Sequence, residues 1–338
     1  MEPITTYGAR SIANLVAMNV TLAVIVVVTG VLLSFWYVPS SQPARTRDGA
    51  NLTIVTQLRI DTVGRFVDTL RASPSMPRLA PQRSGEVVPS MAQASIRVDI
   101  SRAPFGAIVR SLHRWISDVL LITAALLVLA LAGFKAYELP SGAWKRSLLL
   151  LGCILLGGWT GRILVDDVYA EISRRIMGHE LSEAPFGGFL VAILGIEPSA
   201  AHLARTYSVH AIVLGIGGVL LVSRELRSCL QDVHWLWVGG VTIGVSVVAG
   251  VVAVPEYGLR DAIQGLLGSV SVRPWWGIVP FRSWVQWLGA ELAGYVLLGT
   301  LMALFLLPHW HHSTTPRTVR LVMLSIALAL LAGALFGN

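Results

Sequence analysis

Residues 110–134 read RSLHRWISDVLLITAALLVLALAGF. After Asp118 the stretch holds no ionisable group, and about twenty such apolar residues of helix cross the hydrocarbon of a bilayer. Its mouth carries Arg110, His113 and Arg114, and ionisable groups at the entrance of a lipid-buried segment are costly enough to demand partners. The same kind of run recurs along the chain. Seven spans are expected: A near 12–36, B 107–133, C 146–165, D 205–224, E 234–254, F 284–307 and G 318–336. Long apolar runs without alternation predict helices rather than barrel strands. With 338 residues, 54% hydrophobic and 13% charged, and a mean hydropathy of +0.67, the expected fold class is all-α, a polytopic membrane bundle. Span A is too long for the apolar core of a cleavable signal peptide, and no small-residue cleavage site follows it.

The short loops set the expected orientation. Lys135, Lys145 and Arg146 outnumber Glu138 between B and C; Arg224 and Arg227 lie between D and E; Arg317 and Arg320 lie between F and G. The C–D connection is acidic, with Asp166, Asp167, Glu171, Glu180, Glu183 and Glu197. The N-terminus is therefore expected inside, the C-terminus outside, in a bacterial-type cytoplasmic membrane. The net charge of +7 reports this topology; no basic cluster interleaved with aromatics suggests nucleic acid. Cys153 and Cys229, the two cysteines, are read as packed thiols, because neither belongs to a C-x-x-C-H attachment site.

The A–B connection, residues 37–106, is far longer than a bundle needs and is rich in Pro, Ser and Arg. It is read as an extracytoplasmic insertion with one surface helix over VTQLRIDTVGRFVDTLRA. Residues 166–204 form a second outer excursion, in which EAPFGGFLVAILGIE is expected to hold a short helix along the membrane surface. The chain divides into 1–230, a four-helix half made of A–D, and 231–338, a three-helix half.

Of the eight histidines, His113 and His210 sit at similar depth just inside spans B and D, which run in the same direction. Two neutral imidazoles facing across a bundle are what a six-coordinate b-type haem requires. Arg110, Arg114 and Arg205 lie within one or two turns and suit its propionates.

These stretches resemble a family. APFGAIVRSLHRW followed by GFK, LARTYSVHAIVL in span D, TGVLLSFWYVP ending span A and GGWTGR ending span C look like the cytochrome b subunit of cytochrome bc and chloroplast-type complexes. The resemblance covers nearly all of the chain outside the enlarged A–B connection. It implies histidine pairs fourteen residues apart on B and D, about 21 Å of helix, holding two haems, with glycines on A and C where each porphyrin meets backbone. The outer slot is matched by His113, His210, Gly30 and Gly161. At the inner slot the four positions are Leu127, Arg224, Val16 and Ser147, so one b-type haem is expected, ligated by His113 and His210.

The family's quinol-oxidation motif, Pro-Glu-Trp-Tyr between E and F, is replaced by Pro274, Trp275, Trp276 and Gly277. Glu256, Asp166 and Asp167 are the nearest other acids, and Glu291 in span F is read as pairing across helices, with contact to a quinone as the alternative. The resemblance implies a non-autonomous electron-transfer subunit of a quinone-linked respiratory or photosynthetic complex. A haem-stabilised anchor without electron flux is the alternative. Implied partners are a Rieske iron–sulfur protein, a c-type cytochrome or a second cytochrome b, in a homo- or heterodimer; a bound quinone is the further cofactor considered.

Overall fold

The computed structural model describes residues 6–46, 49–55, 58–60, 66–68, 78–81, 88–134, 142–197, 199, 201–221, 230–255 and 279–310. Span G, residues 256–278 with the Pro274–Gly277 replacement and Glu256, the loop charges Lys135, Glu138, Arg224, Arg227, Arg317 and Arg320, and Cys229 lie outside them.

Six of the seven expected spans fall on described helices. Spans A and B are the helices Thr6–Ser34 and Gly106–Gly133, and span C is Ala143–Ile163. Span D runs His202–Leu221, and span E is the shorter Trp235–Val251. Span F differs from expectation. A helix Val279–Leu288 stops at Gly289, which takes φ 79, and a second helix runs Ala290–Trp310. Glycine breaks the span because only a residue without Cβ enters that left-handed conformation freely. Glu291 consequently lies exposed in the first turn of the second helix, where a carboxylate favours the helix N-terminus, rather than deep in the span.

A lies along B, B along C, C along D and D closes on A, while E packs on A and B. In lipid, helices associate by close packing and interhelical hydrogen bonds rather than by burial from water. Span A accordingly turns Ala13, Ala17 and Ala23 inward. Asn19, fully buried, accepts from the Thr123 hydroxyl of span B at 3.3 Å, a bond worth about 1 kcal/mol in such a setting. At the end away from the histidines, Val16, Leu127, Val128, Leu131 and Trp144 form one apolar cluster, reached from span F by Leu304 and Leu307. The Trp144 indole donates to the Leu304 carbonyl at 2.7 Å. That carbonyl's ordinary helical donor would be residue 308, a proline, which has no N–H.

The insertion is built differently from expectation. Leu58–Ile60 pairs antiparallel with Phe66–Asp68, and Leu52–Val55 with Arg78–Pro81, so the described residues of the 55–72 stretch form strands where a surface helix is expected. Val55, Ile60, Val63 and Val67 are β-branched and Gly64 interrupts the run, a composition that disfavours helix and suits strand pairs. The helix lies later, over Met91–Ala94, a π segment Ser95–Asp99 and Ile100–Arg102. Ser90 and Gln93 close a capping box at its start, and Ala92, Ala94, Val98 and Ile100 are buried.

The 166–204 excursion folds as the helices Val168–Glu183 and Gly187–Leu194, the second matching the short helix expected there. Asp167 caps the first through the Ala170 N–H at 2.8 Å and holds Arg162 at 2.7 Å. Glu171 binds Arg174 and Arg175, and Arg174 reaches the Ile196 carbonyl, which ties the excursion down. The four residues Ala-Pro-Phe-Gly occur twice, at 103–106 and 184–187. Both copies turn the chain into a helix with the phenylalanine left-handed, at φ 58 for Phe105 and φ 60 for Phe186.

Candidate functional site

The four-helix ring brings His113 and His210 together. Their ring centres are 6.2 Å apart and the planes are inclined by 68°. Two imidazoles on one metal place their ring centres roughly 6 Å apart, from two metal–nitrogen bonds of about 2 Å plus about 1 Å within each ring. The observed separation fits that requirement. Both residues are partly buried.

Each histidine is seated by a different helix, in the same way. His113 Nδ1 lies 3.2 Å from the Thr29 hydroxyl and 3.0 Å from the Val26 carbonyl of span A. His210 Nδ1 lies 3.0 Å from the Thr160 hydroxyl of span C. The residue after each threonine is a glycine. A Cβ at Gly30 would stand 3.1 Å from His113 Cε1, and one at Gly161 would stand 2.9 Å from His210 Cε1. The two glycines therefore make room for the imidazole edges themselves. The threonines were missed by sequence reasoning, although the signal was present: Thr-Gly stands at 29–30 and again at 160–161.

Span D is irregular where it matters. His210 is the second residue of a π-helical segment, Val209–Ile216, and such segments recur at functional sites in helices.

The three arginines flank the site in different settings. Arg114 grips Asp118 at 2.6 Å and lies over the Trp115 ring. Arg205, half-exposed, stands 3.8 Å from Glu197, and Arg110 is half-buried one turn before His113. Of the inner positions, Val16, Leu127 and Ser147 are all buried, the first two inside the apolar cluster with Trp144.

Beyond the histidines, at the same end of the bundle, the Tyr37 phenol donates to the Leu164 carbonyl at 2.8 Å and its ring meets Tyr207. Burial, and next the neighbouring Asp166 carboxylate, push this phenol well above its ordinary 10.0. Asp166 is buried with φ 52, a left-handed conformation that aspartate tolerates better than most residues. Asp167 is engaged as a helix cap and ion pair, as described above. Among the described residues no group of three or more His, Cys, Asp or Glu side chains is gathered as for a metal ion. Cys153 is a half-buried free thiol.

No family model matches the chain. The cytochrome b subunit of a cytochrome bc complex from Chlorobaculum thiosulfatiphilum is 30% identical over 131 residues, 38% of this chain and 30% of that protein. Cytochrome b6 of Chlamydomonas reinhardtii is 28% identical over 132 residues, 37% of this chain and 61% of that protein. The match thus spans less than two thirds of either relative. A chain of a solved hyperthermophilic respiratory Complex III superimposes with a TM-score of 0.63 over 97% of this chain and 83% of its own length, at 14% identity, which is likeness of fold. Over these stretches, 37–38% of its length, the chain is similar to cytochrome b and b6 subunits of cytochrome bc and related complexes, as a divergent relative.

Proposed function

We propose that this chain is a single-haem electron-transfer subunit of a membrane redox complex, with His113 and His210 as axial ligands through Nε2. The 6.2 Å separation of their ring centres carries the reading. A b-type haem supplies a reversible one-electron iron couple. The chain's own residues hold it: the histidines ligate, Gly30 and Gly161 admit the imidazoles, and Arg110, Arg114 and Arg205 flank the propionates.

One feature supports one haem rather than two: the inner positions Val16 and Leu127 are packed with Trp144 into an apolar cluster, and leucine offers no ligand atom. About 21 Å of helix is left without a carrier, so electron transfer is confined to the histidine-bearing half, between that face and a neighbouring redox protein or a quinone. Bifurcated quinol oxidation is not expected from this subunit alone, because Trp275 only donates where the family places an acceptor. The partners are a Rieske iron–sulfur protein, a c-type cytochrome or a second cytochrome b. The N-terminus lies inside, the C-terminus outside, and residues 37–106 outside.

Pyridine haemochrome on the purified complex is expected to give one haem b for this chain, and His113→Ala is expected to abolish its low-spin spectrum. Two haems, or a low-spin spectrum surviving His113→Ala, would overturn the reading. A haem that titrates between the potentials of its partners marks a relay; one far outside them marks an anchor.

A further inference from the structure

Spans A and C present the two histidines with the same threonine–glycine cradle. In span A the sequence is Val26, Thr29, Gly30; in span C it is Gly157, Thr160, Gly161, with identical spacing. The glycine receives the ring edge, and the threonine hydroxyl faces Nδ1 at 3.2 Å for His113 and 3.0 Å for His210.

A proton count fixes what these contacts are. Each hydroxyl has one proton, and in both cases it is spent on the carbonyl four residues back, Thr29 on Ile25 at 2.7 Å and Thr160 on Leu156 at 2.7 Å. Toward the imidazole the hydroxyl can only offer a lone pair. The Val26 carbonyl beside His113 Nδ1, at 3.0 Å, is likewise an acceptor only. Both Nδ1 atoms are then the protonated nitrogens, which leaves a bare lone pair on Nε2 of each ring. We infer that Thr29 and Thr160 are positioning residues: their hydroxyls set the Nδ1–H tautomer of His113 and His210 and hold the rings at their 68° inclination. This rests on the haem reading above and assigns the outer-shell partners that metal-bound histidines require. Each contact also draws the Nδ1 proton toward oxygen, making the imidazole a stronger donor to iron and favouring the oxidised state.

The test uses the full chain in its complex, with Thr29→Val and Thr160→Val, singly and together, and the corresponding Ser variants. Valine keeps the shape of threonine and removes the oxygen; serine keeps the oxygen. Three quantities are read: haem b per chain, the midpoint potential of the haem, and the low-spin electron paramagnetic resonance signal, which responds to the angle between the ligand planes. The valine variants are expected to raise the midpoint potential and broaden the signal, the double variant more than either single one, with serine returning both toward wild type. Valine variants holding the full haem complement at wild-type potential and signal would overturn the inference. So would serine variants that lose haem as readily as valine variants, since the methyl rather than the hydroxyl would then matter. A wild-type chain without haem b, or one whose low-spin haem survives His113→Ala, instead sinks the haem reading itself and the inference with it.

Discussion

Substituting alanine at Gly161 tests the histidine pair where it has least slack. The added Cβ would stand 2.9 Å from His210 Cε1 and 3.6 Å from both ring nitrogens. Ordinary contact begins at 3.4 Å, so the ring must retreat by about 0.5 Å. It is poorly placed to do so: Nδ1 is bound to the Thr160 hydroxyl at 3.0 Å, and in the proposed haem-bound state the ligating edge would be held by the iron. At Gly30 the corresponding approach is 3.1 Å to His113 Cε1, a shortfall of about 0.3 Å. Overpacking a fitted site costs about 1–3 kcal/mol, which for haem affinity is about 5- to 150-fold. Gly161→Ala is expected near the upper end of that range and Gly30→Ala near the lower. Gly152→Ala, elsewhere on span C, serves as the control, because a Cβ there meets nothing within 4 Å. The assay is haem b retained per chain after purification, followed by the rate of haem transfer to apomyoglobin. Equal loss in the Gly152 control, or a larger loss at Gly30 than at Gly161, would refute the argument.

Asp167→Ala removes both the Ala170 cap and the Arg162 ion pair; it is expected to cost about 1–2 kcal/mol, with Asp167→Asn recovering part of it in thermal melts. Ser90→Ala breaks the capping box of the 91–102 helix and is expected to lower stability by about 1 kcal/mol, read as faster proteolysis of the insertion. Tyr37 gives a pH dependence whose sign is fixed. Its folded pKa lies above 10.0, so above pH 10 the unfolded chain releases a proton that the folded chain keeps, and stability falls as pH rises. Tyr37→Phe should flatten that alkaline decline in melts from pH 9 to 11 while lowering stability near neutrality, because the Leu164 carbonyl loses its donor.

The spans were legible because a bilayer imposes a length and an apolarity that no other setting demands, and six of them fall where the hydropathy placed them. The histidine pair was legible for a related reason: an imidazole in lipid needs a purpose, and two at one depth suggest a common one. The cradle was not legible. Thr29 and Thr160 look like any hydroxyl residue bonding back to its own helix, and only the bundle shows that the same oxygen also meets a histidine on another helix. The 91–102 helix escaped because Ala92, Ala94, Ile96, Val98 and Ile100 alternate along the sequence like a strand, whereas the chain forms a helix with a π segment in its middle. The break at Gly289 escaped because one glycine inside an apolar run carries no local sign of its φ.

The bond from Trp144 to Leu304 bears on how such a protein can be divided. Pro308 leaves a carbonyl in span F without its usual donor, and the donor that answers it comes from the start of span C. The donor and the acceptor sit on opposite sides of residue 230, the boundary expected between the two halves. Were the chain cut there into two polypeptides, each would carry half of a complementary pair, the Leu304 carbonyl on one and the Trp144 indole on the other. Reassembly would have a register to find, set by that bond.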